Sequence, residues 1–276
     1  RMIETNMAAA LDIAAKAGVE ELLPDDMVAR EGLCGRLTAI RQIHFPPDHR
    51  AVEEARRRLI FEELFVLQLG LLRLKSRSRR LNGAILRGDY TAAYVAGLPF
   101  APTGAQRRAI ADCIRDMQGV CPMSRLVQGD VGSGKTAVAA GVAYSLIREG
   151  WQAAMMAPTE ILAEQHAASL QKLLGDTVRV GLLTGSLPAA KKRQVQEAIA
   201  AGDIDFVVGT HALISDSVQF ARLGLVITDE QHRFGVAQRA RLAAKGQDPH
   251  LLVMSATPIP RTLALILYGD LDVSIL

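Results

Sequence analysis

Two hydrophobic rhythms divide this chain. Up to about Tyr94 the apolar positions recur at helical spacing, which predicts a helix over Asn6 to Ala17, a segment ending at Leu22-Leu23-Pro24, and another helix from Asp26 to Ile43. A break follows at Phe45-Pro46-Pro47, since proline cannot continue a helix. Beyond it, Ile60, Leu64, Leu67, Leu71 and Leu74 repeat at intervals of four and three, so a long amphipathic helix with one apolar stripe is expected. Glu53, Glu54, Arg57 and Arg58 can pair along it. Such a stripe reads as a docking face for a neighbouring domain. The basic run after Leu74 reads as a loop, and the stretch around Gly83 and Gly88 as a short helical linker.

From about Leu98 the rhythm changes to short apolar runs separated by helical stretches. Candidate strands are Leu126 to Gln128, Ala153 to Ala157, Val178 to Leu183, Phe206 to Val208, Leu225 to Thr228 and Leu251 to Met254. Alternation of this kind predicts an α/β fold with a mostly parallel sheet covered on both faces, preceded by an all-helical segment. There is no internal repeat and no low-complexity tract.

The chemistry is concentrated in two places. Gly129-Asp130-Val131-Gly132-Ser133-Gly134-Lys135-Thr136 matches the phosphate-cradling P-loop pattern, between the apolar run Arg125 to Gln128 and a helical stretch carrying Val138, Val142 and Leu146. Glycines let consecutive backbone N–H groups turn inward towards polyphosphate, and the helix that follows adds its positive end. Lys135 would reach the β- and γ-phosphates, and the Thr136 hydroxyl would ligate Mg²⁺. Taken alone, the string could also be a glycine-rich turn without a ligand. Downstream, Leu223 to Thr228 is a β-rich run that delivers Asp229 and Glu230 to a strand's carboxyl end, where ligands sit in parallel α/β sheets. Asp229 would hold Mg²⁺ and Glu230 would orient and deprotonate a water. A solvated acidic pair is the other reading of that dipeptide. Together the two elements point to binding of a nucleoside triphosphate and to half the equipment for cleaving it.

Composition leaves room for this and adds little. A chain of 276 residues with 49% hydrophobic and 22% charged content is globular rather than disordered, with space for one large domain or two smaller ones. A net charge of +3 is too small to argue for nucleic acid. The clusters Arg56-Arg57-Arg58 and Arg73, Lys75, Arg77, Arg79, Arg80 are either phosphate-contacting surfaces or solvated faces. Cys34, Cys113 and Cys121 lack C-x-x-C spacing, which argues against a zinc site or disulfide framework and fits a reducing cytosol. No signal region is apparent, and the apolar stretch Ala137 to Ile147 is too short for a bilayer, so a soluble, cytoplasmic protein is expected. The chain opens on Arg1 inside a helical pattern, which suggests a fragment of something longer.

Four further runs carry a resemblance. Ala157 to His166, Gly209-Thr210-His211, Asp229 to Val236 and Ser255 to Thr262 resemble the ordered motifs of superfamily 2 helicases, and more narrowly those of the RecG branch-migrating DNA helicases. The likeness extends over nearly the whole chain, because Phe61-Glu62-Glu63-Leu64 and Ile43-His44-Phe45-Pro46 are similar to that family's connector between a DNA-reading wedge and the motor. Transcription-repair coupling factors share Arg233 to Val236 and Ala256 to Thr262 but usually carry glutamate where Gln231 stands, and they remain the alternative within the motor class. A nucleotide-gated DNA-binding adaptor is the alternative outside it.

The resemblance implies a RecA-like first lobe over 98–276, a long connector helix and linker over 49–97, and the helical tail of the wedge over 1–48. It implies ATP and Mg²⁺ as cofactors, branched double-stranded DNA as partner, and a second RecA-like lobe that supplies arginines to the γ-phosphate. A bacterial, nucleoid-associated location follows. A fragment holding only the first lobe is expected to be weak or inactive alone. Thr103-Gly104-Ala105-Gln106 is similar to the Q motif, so Gln106 would read the adenine edge. Pro158, Thr159, Gln165, Thr184, Gly185 and Thr210 would contact the nucleic-acid backbone through hydroxyls and amides, although Thr159 could equally cap a helix. His232, Arg233, Ser255 and Thr257 would couple hydrolysis to DNA, and Arg261 receives no role.

Overall fold

The computed structural model describes residues 2–77, 83–229, 236–256 and 271–276. They form two compact units that divide between Leu74 and Lys75.

The first unit is helical: α1 (Met2–Ala17), α2 (Asp25–Arg30), α3 (Arg36–His44) and α4 (His49–Arg77). The single helix expected over Asp26 to Ile43 is instead α2 and α3. Gly32 adopts a φ of +59° that side chains resist, and extended Gly35 then starts α3 afresh. Asp48 begins α4 by accepting the Ala51 N–H at 2.8 Å. That helix buries Ala51, Ala55, Arg58 and Glu62, while Ile60, Leu64 and Leu67 of the predicted stripe are exposed. Arg58 is wholly buried because Glu21 and Glu62 both pair with it, and Glu62 also takes Arg36 at 3.0 Å. Where a loop was expected directly after Leu74, α4 continues to Arg77.

The second unit begins with α5 (Thr91–Ala96) and α6 (Gly104–Met117), then alternates: β1 (Ser124–Gln128), α7 (Lys135–Ile147), β2 (Gln152–Met156), α8 (Glu160–Leu174), β3 (Val180–Leu183), α9 (Ala189–Ala201), β4 (Phe206–Gly209), β5 (Leu223–Asp229), α10 (Val236–Ala243), β6 (His250–Ser255) and β7 (Asp272–Ile275). The strands lie in the order β3-β4-β2-β5-β6-β1-β7, and every neighbouring pair is parallel. The six predicted strands are all present. β7 is an addition that the sequence reading did not contain.

Two-residue alternation sorts the strand side chains into two cores. Ala153, Met155, Leu225 and Ile227 pack under Met117, Val138, Leu146 and Leu170 of α6, α7 and α8. Ala154, Met156, Val207 and Val226 pack under Ile199 and Leu242 of α9 and α10. Burial on both faces explains why these strands read as continuous apolar runs. Because the strands are parallel, all their carboxyl ends reach one edge of the sheet, and the connections there build the site.

Candidate active site

At the end of β1 the chain turns through the glycine string into α7. Gly132 and Gly134 have φ of +85° and +84°, a region open to glycine at no steric cost, and Gly134 is the N-cap of α7. The turn is fixed from both sides. Gly129 N–H donates to the Ser255 carbonyl at 3.1 Å, and Ser133 N–H to the Asp130 carbonyl at 3.1 Å. Lys135 Nζ folds back over the turn and donates to the Gly129 and Asp130 carbonyls at 2.6 and 2.8 Å. Thr136 lies half-buried in the first turn of α7, and Asp130 and Val131 are exposed.

Gln106 is built into the same turn. It closes a capping box on α6: its Oε1 accepts the Thr103 N–H at 2.9 Å while Thr103 Oγ1 accepts the Gln106 N–H at 3.2 Å. Its Nε2 donates to the Ser133 carbonyl at 2.8 Å. A primary amide has two N–H donors and two acceptor lone pairs, so one of each is left after these bonds.

Asp229 ends β5 on the same edge as the glycine turn. Gln128 aligns with Ser255, and Asp229 with Met254, across the two ladders that join β1 and β5 through β6. Its carboxylate is mostly buried, and Oδ2 lies 2.6 Å from His166 Nε2 on α8. A carboxylate only accepts, so the imidazole donates. Oδ1 has no hydrogen-bond partner among the described residues, which leaves an oxygen suited to a hard cation. Glu230, His232, Arg233, Thr257 and Arg261 lie outside the described residues.

The residues expected to face nucleic acid gather on the adjoining stretch of that edge, at the ends of β2, β3 and β4. Their exposure is uneven. Gln165 and Gly185 are open, Pro158 and Thr159 are half-buried, and Thr184 and Thr210 are buried. Thr159 caps α8, its Oγ1 accepting the Leu162 N–H at 3.3 Å. Thr184 Oγ1 pairs with Ser186 Oγ at 3.3 Å. The buried Thr210 Oγ1 has no partner among the described residues. Of these six residues, Gln165 alone offers an exposed polar side chain.

Two residues of the run Ala157 to His166 contribute in ways to which the sequence reading gave no individual role. Glu160 Oε1 accepts the Ser186 N–H at 3.0 Å, tying the β2–α8 turn to the β3–α9 turn, and bonds from Ser186 hold the Glu160 carboxyl below its ordinary value. His166 is the other. Its signal was a histidine on the buried stripe of α8, between Ala163 and Leu170.

The site's pattern matches known proteins. The family described as DEAD/DEAH box helicase matches residues 103–266. A relative named ATP-dependent DNA helicase RecG, from Streptococcus pneumoniae serotype 4, is 48% identical over 279 residues, covering 100% of this chain and 41% of its own. The protein of that name from Escherichia coli K12 is 46% identical, covering 97% of this chain and 40% of its own. The chain thus spans about two fifths of the length of these relatives. Among solved structures, RecG bound to a three-way DNA junction superposes with a TM-score of 0.75 at 41% identity, over 94% of this chain and 35% of that one. A DEAD box protein from Methanococcus jannaschii shares the fold, with a TM-score of 0.51 at 21% identity over 71% of this chain and 56% of that one. With its glycine turn and strand-end acid inside the matched span, the chain belongs to the DEAD/DEAH box helicase family, and within it resembles RecG.

Proposed function

We propose that these residues are the first motor lobe, with its helical connector, of an ATP-driven translocase that remodels branched duplex DNA. In this reading 98–276 is the lobe, 49–97 the connector helix and linker, and 1–48 the tail of a wedge domain. The names of the relatives and the junction-bound structure support it. The observation that carries it is the convergence of the glycine turn and Asp229 on one sheet edge, two strands apart.

The chain's own groups divide the work. Backbone amides of 130–136 other than that of Ser133, with the positive end of α7, bind the polyphosphate. Lys135 leaves the Gly129 and Asp130 carbonyls for phosphate oxygens, exchanging neutral acceptors for charged ones. The spare donor and acceptor of Gln106 match the N6 and N7 edge of adenine, which selects ATP over GTP. Asp229 Oδ1 and Thr136 would hold Mg²⁺, which when bound neutralises phosphate charge. Glu230 orients and deprotonates the attacking water. Backbone amides at the turns after β2 and β3, with Gln165, grip phosphodiesters without reading sequence. A second RecA-like lobe of the same polypeptide supplies arginines, and the setting is the bacterial cytoplasm in association with DNA.

The test uses the complete polypeptide containing these residues, measuring DNA-stimulated phosphate release and triplex displacement on forked substrates. Lys135→Ala should reduce both by about a hundredfold or more. Residues 1–276 alone should turn over ATP at less than about a thousandth of the full rate, since such arginines are worth that much. DNA binding without displacement by the intact protein would identify a latch instead of a motor. Robust Lys135-dependent turnover by 1–276 alone would show that no second lobe is needed.

A further inference from the structure

We propose that His166 is a positioning residue that links the polynucleotide-facing helix α8 to the Asp229 carboxylate, so that DNA contact is transmitted to the ATP site. This rests on the reading of Asp229 as the metal carboxylate.

The argument is one of placement. β5, which ends in Asp229, lies directly beside β2, whose carboxyl end feeds α8. The strand order therefore splits the edge into a nucleotide stretch at β5, β6 and β1 and a polynucleotide stretch at β2, β4 and β3. His166 crosses that division. Its Nε2 is 2.6 Å from Asp229 Oδ2, and the two side chains are 14% and 12% exposed, so solvent contributes little to holding the carboxylate. A bond of this length to an ionised oxygen is among the stronger side-chain hydrogen bonds.

α8 is also well placed to sense a backbone. Thr159 caps it, Glu160 in its first turn binds Ser186 of the next turn, and exposed Gln165 adjoins His166 in sequence. Ala163 and Leu170 bury the same face that carries His166, so α8 moves as a rod rather than releasing the imidazole separately. A shift of α8 upon backbone contact therefore changes the position of Oδ2 and, with it, the direction of Oδ1.

The test uses the complete polypeptide with His166→Ala, His166→Gln and Asp229→Asn. Readouts are the magnesium dependence of fluorescent ADP binding, kcat and KM for ATP with and without forked DNA, and DNA affinity. For His166→Ala the expected result is a loss of about tenfold or more in the ratio of DNA-stimulated to basal kcat, the size typical of groups that orient a metal ligand. The KM for ATP and the DNA affinity should stay within about threefold, and His166→Gln, which keeps an N–H donor, should recover much of the stimulation. An unchanged stimulation ratio in His166→Ala, with Asp229→Asn losing magnesium dependence, overturns this proposal alone. Retained magnesium dependence in Asp229→Asn overturns the metal reading and this proposal together. Weakened DNA affinity in His166→Ala would make the residue a DNA contact or a fold element, and would also overturn it.

Discussion

Single positions in the glycine turn carry separable constraints. Gly132 and Gly134 share nearly the same positive φ, yet a methyl group at Gly132 meets nothing within 4 Å, whereas at Gly134 it collides with the Gln106 amide nitrogen. Gly132→Ala should therefore cost only the backbone penalty, about 1–2 kcal/mol. Gly134→Ala should cost more, on the order of 3 kcal/mol, because it also dislodges the Gln106 bond to Ser133. Urea denaturation of the two variants checks this, and equal losses would mean that Gln106 gives way freely. The glycines were legible in the sequence because the motif encodes backbone angles directly. His166 was not, since periodicity places a side chain on a buried face without naming what lies opposite it.

Among the elements, β7 shows where local pattern gives out. Asp272-Val273-Ser274-Ile275 is too short to stand out from loop, and it is specified by partners distant in sequence. Arg125, buried on β1, donates to Ser274 Oγ at 2.8 Å and pairs with Asp116 of α6 at 2.6 Å, while Ser274 Oγ donates to Asp112 at 3.1 Å. Arg125→Met should destabilise the second unit by about 2–3 kcal/mol, somewhat less than a fully buried broken pair, because Asp112 and Asp116 retain some solvent. It should also speed amide exchange in β7 before the other strands, and protection of β7 unchanged by the substitution would contradict that role. The other strands were readable as apolar runs with helical stretches between them. The division of α2 from α3 was missed because single glycines such as Gly32 and Gly35 are tolerated within an otherwise helical pattern.

Across the second unit as a whole, His250 fastens three remote pieces of chain. At the start of β6, its Nδ1 accepts the Met123 N–H at 2.9 Å and its Nε2–H donates to the Ala84 carbonyl at 2.9 Å, holding the segment before α5 against the strand starts. Burial pushes its pKa down from 6.5 to about 4. The folded form stays neutral where the unfolded chain takes up a proton. Its contribution is thus complete above pH 6.5 and is lost as the pH falls towards 4, a loss on the order of 3 kcal/mol if titration runs to completion. His250→Asn, which retains an acceptor near Nδ1 but cannot titrate, should flatten the fall in unfolding free energy over that window, and an identical slope in both proteins would count against it.

The strand order also bears on synthesis. β1 pairs only with β6 and β7, and both are made more than a hundred residues after it. On a ribosome adding about 5–20 residues per second, that delay is roughly ten seconds, during which an apolar segment waits with both of its ladders unmade. The nascent second unit is thus most open to misassembly at the strand that later bears the glycine turn, and that is where a chaperone would be needed.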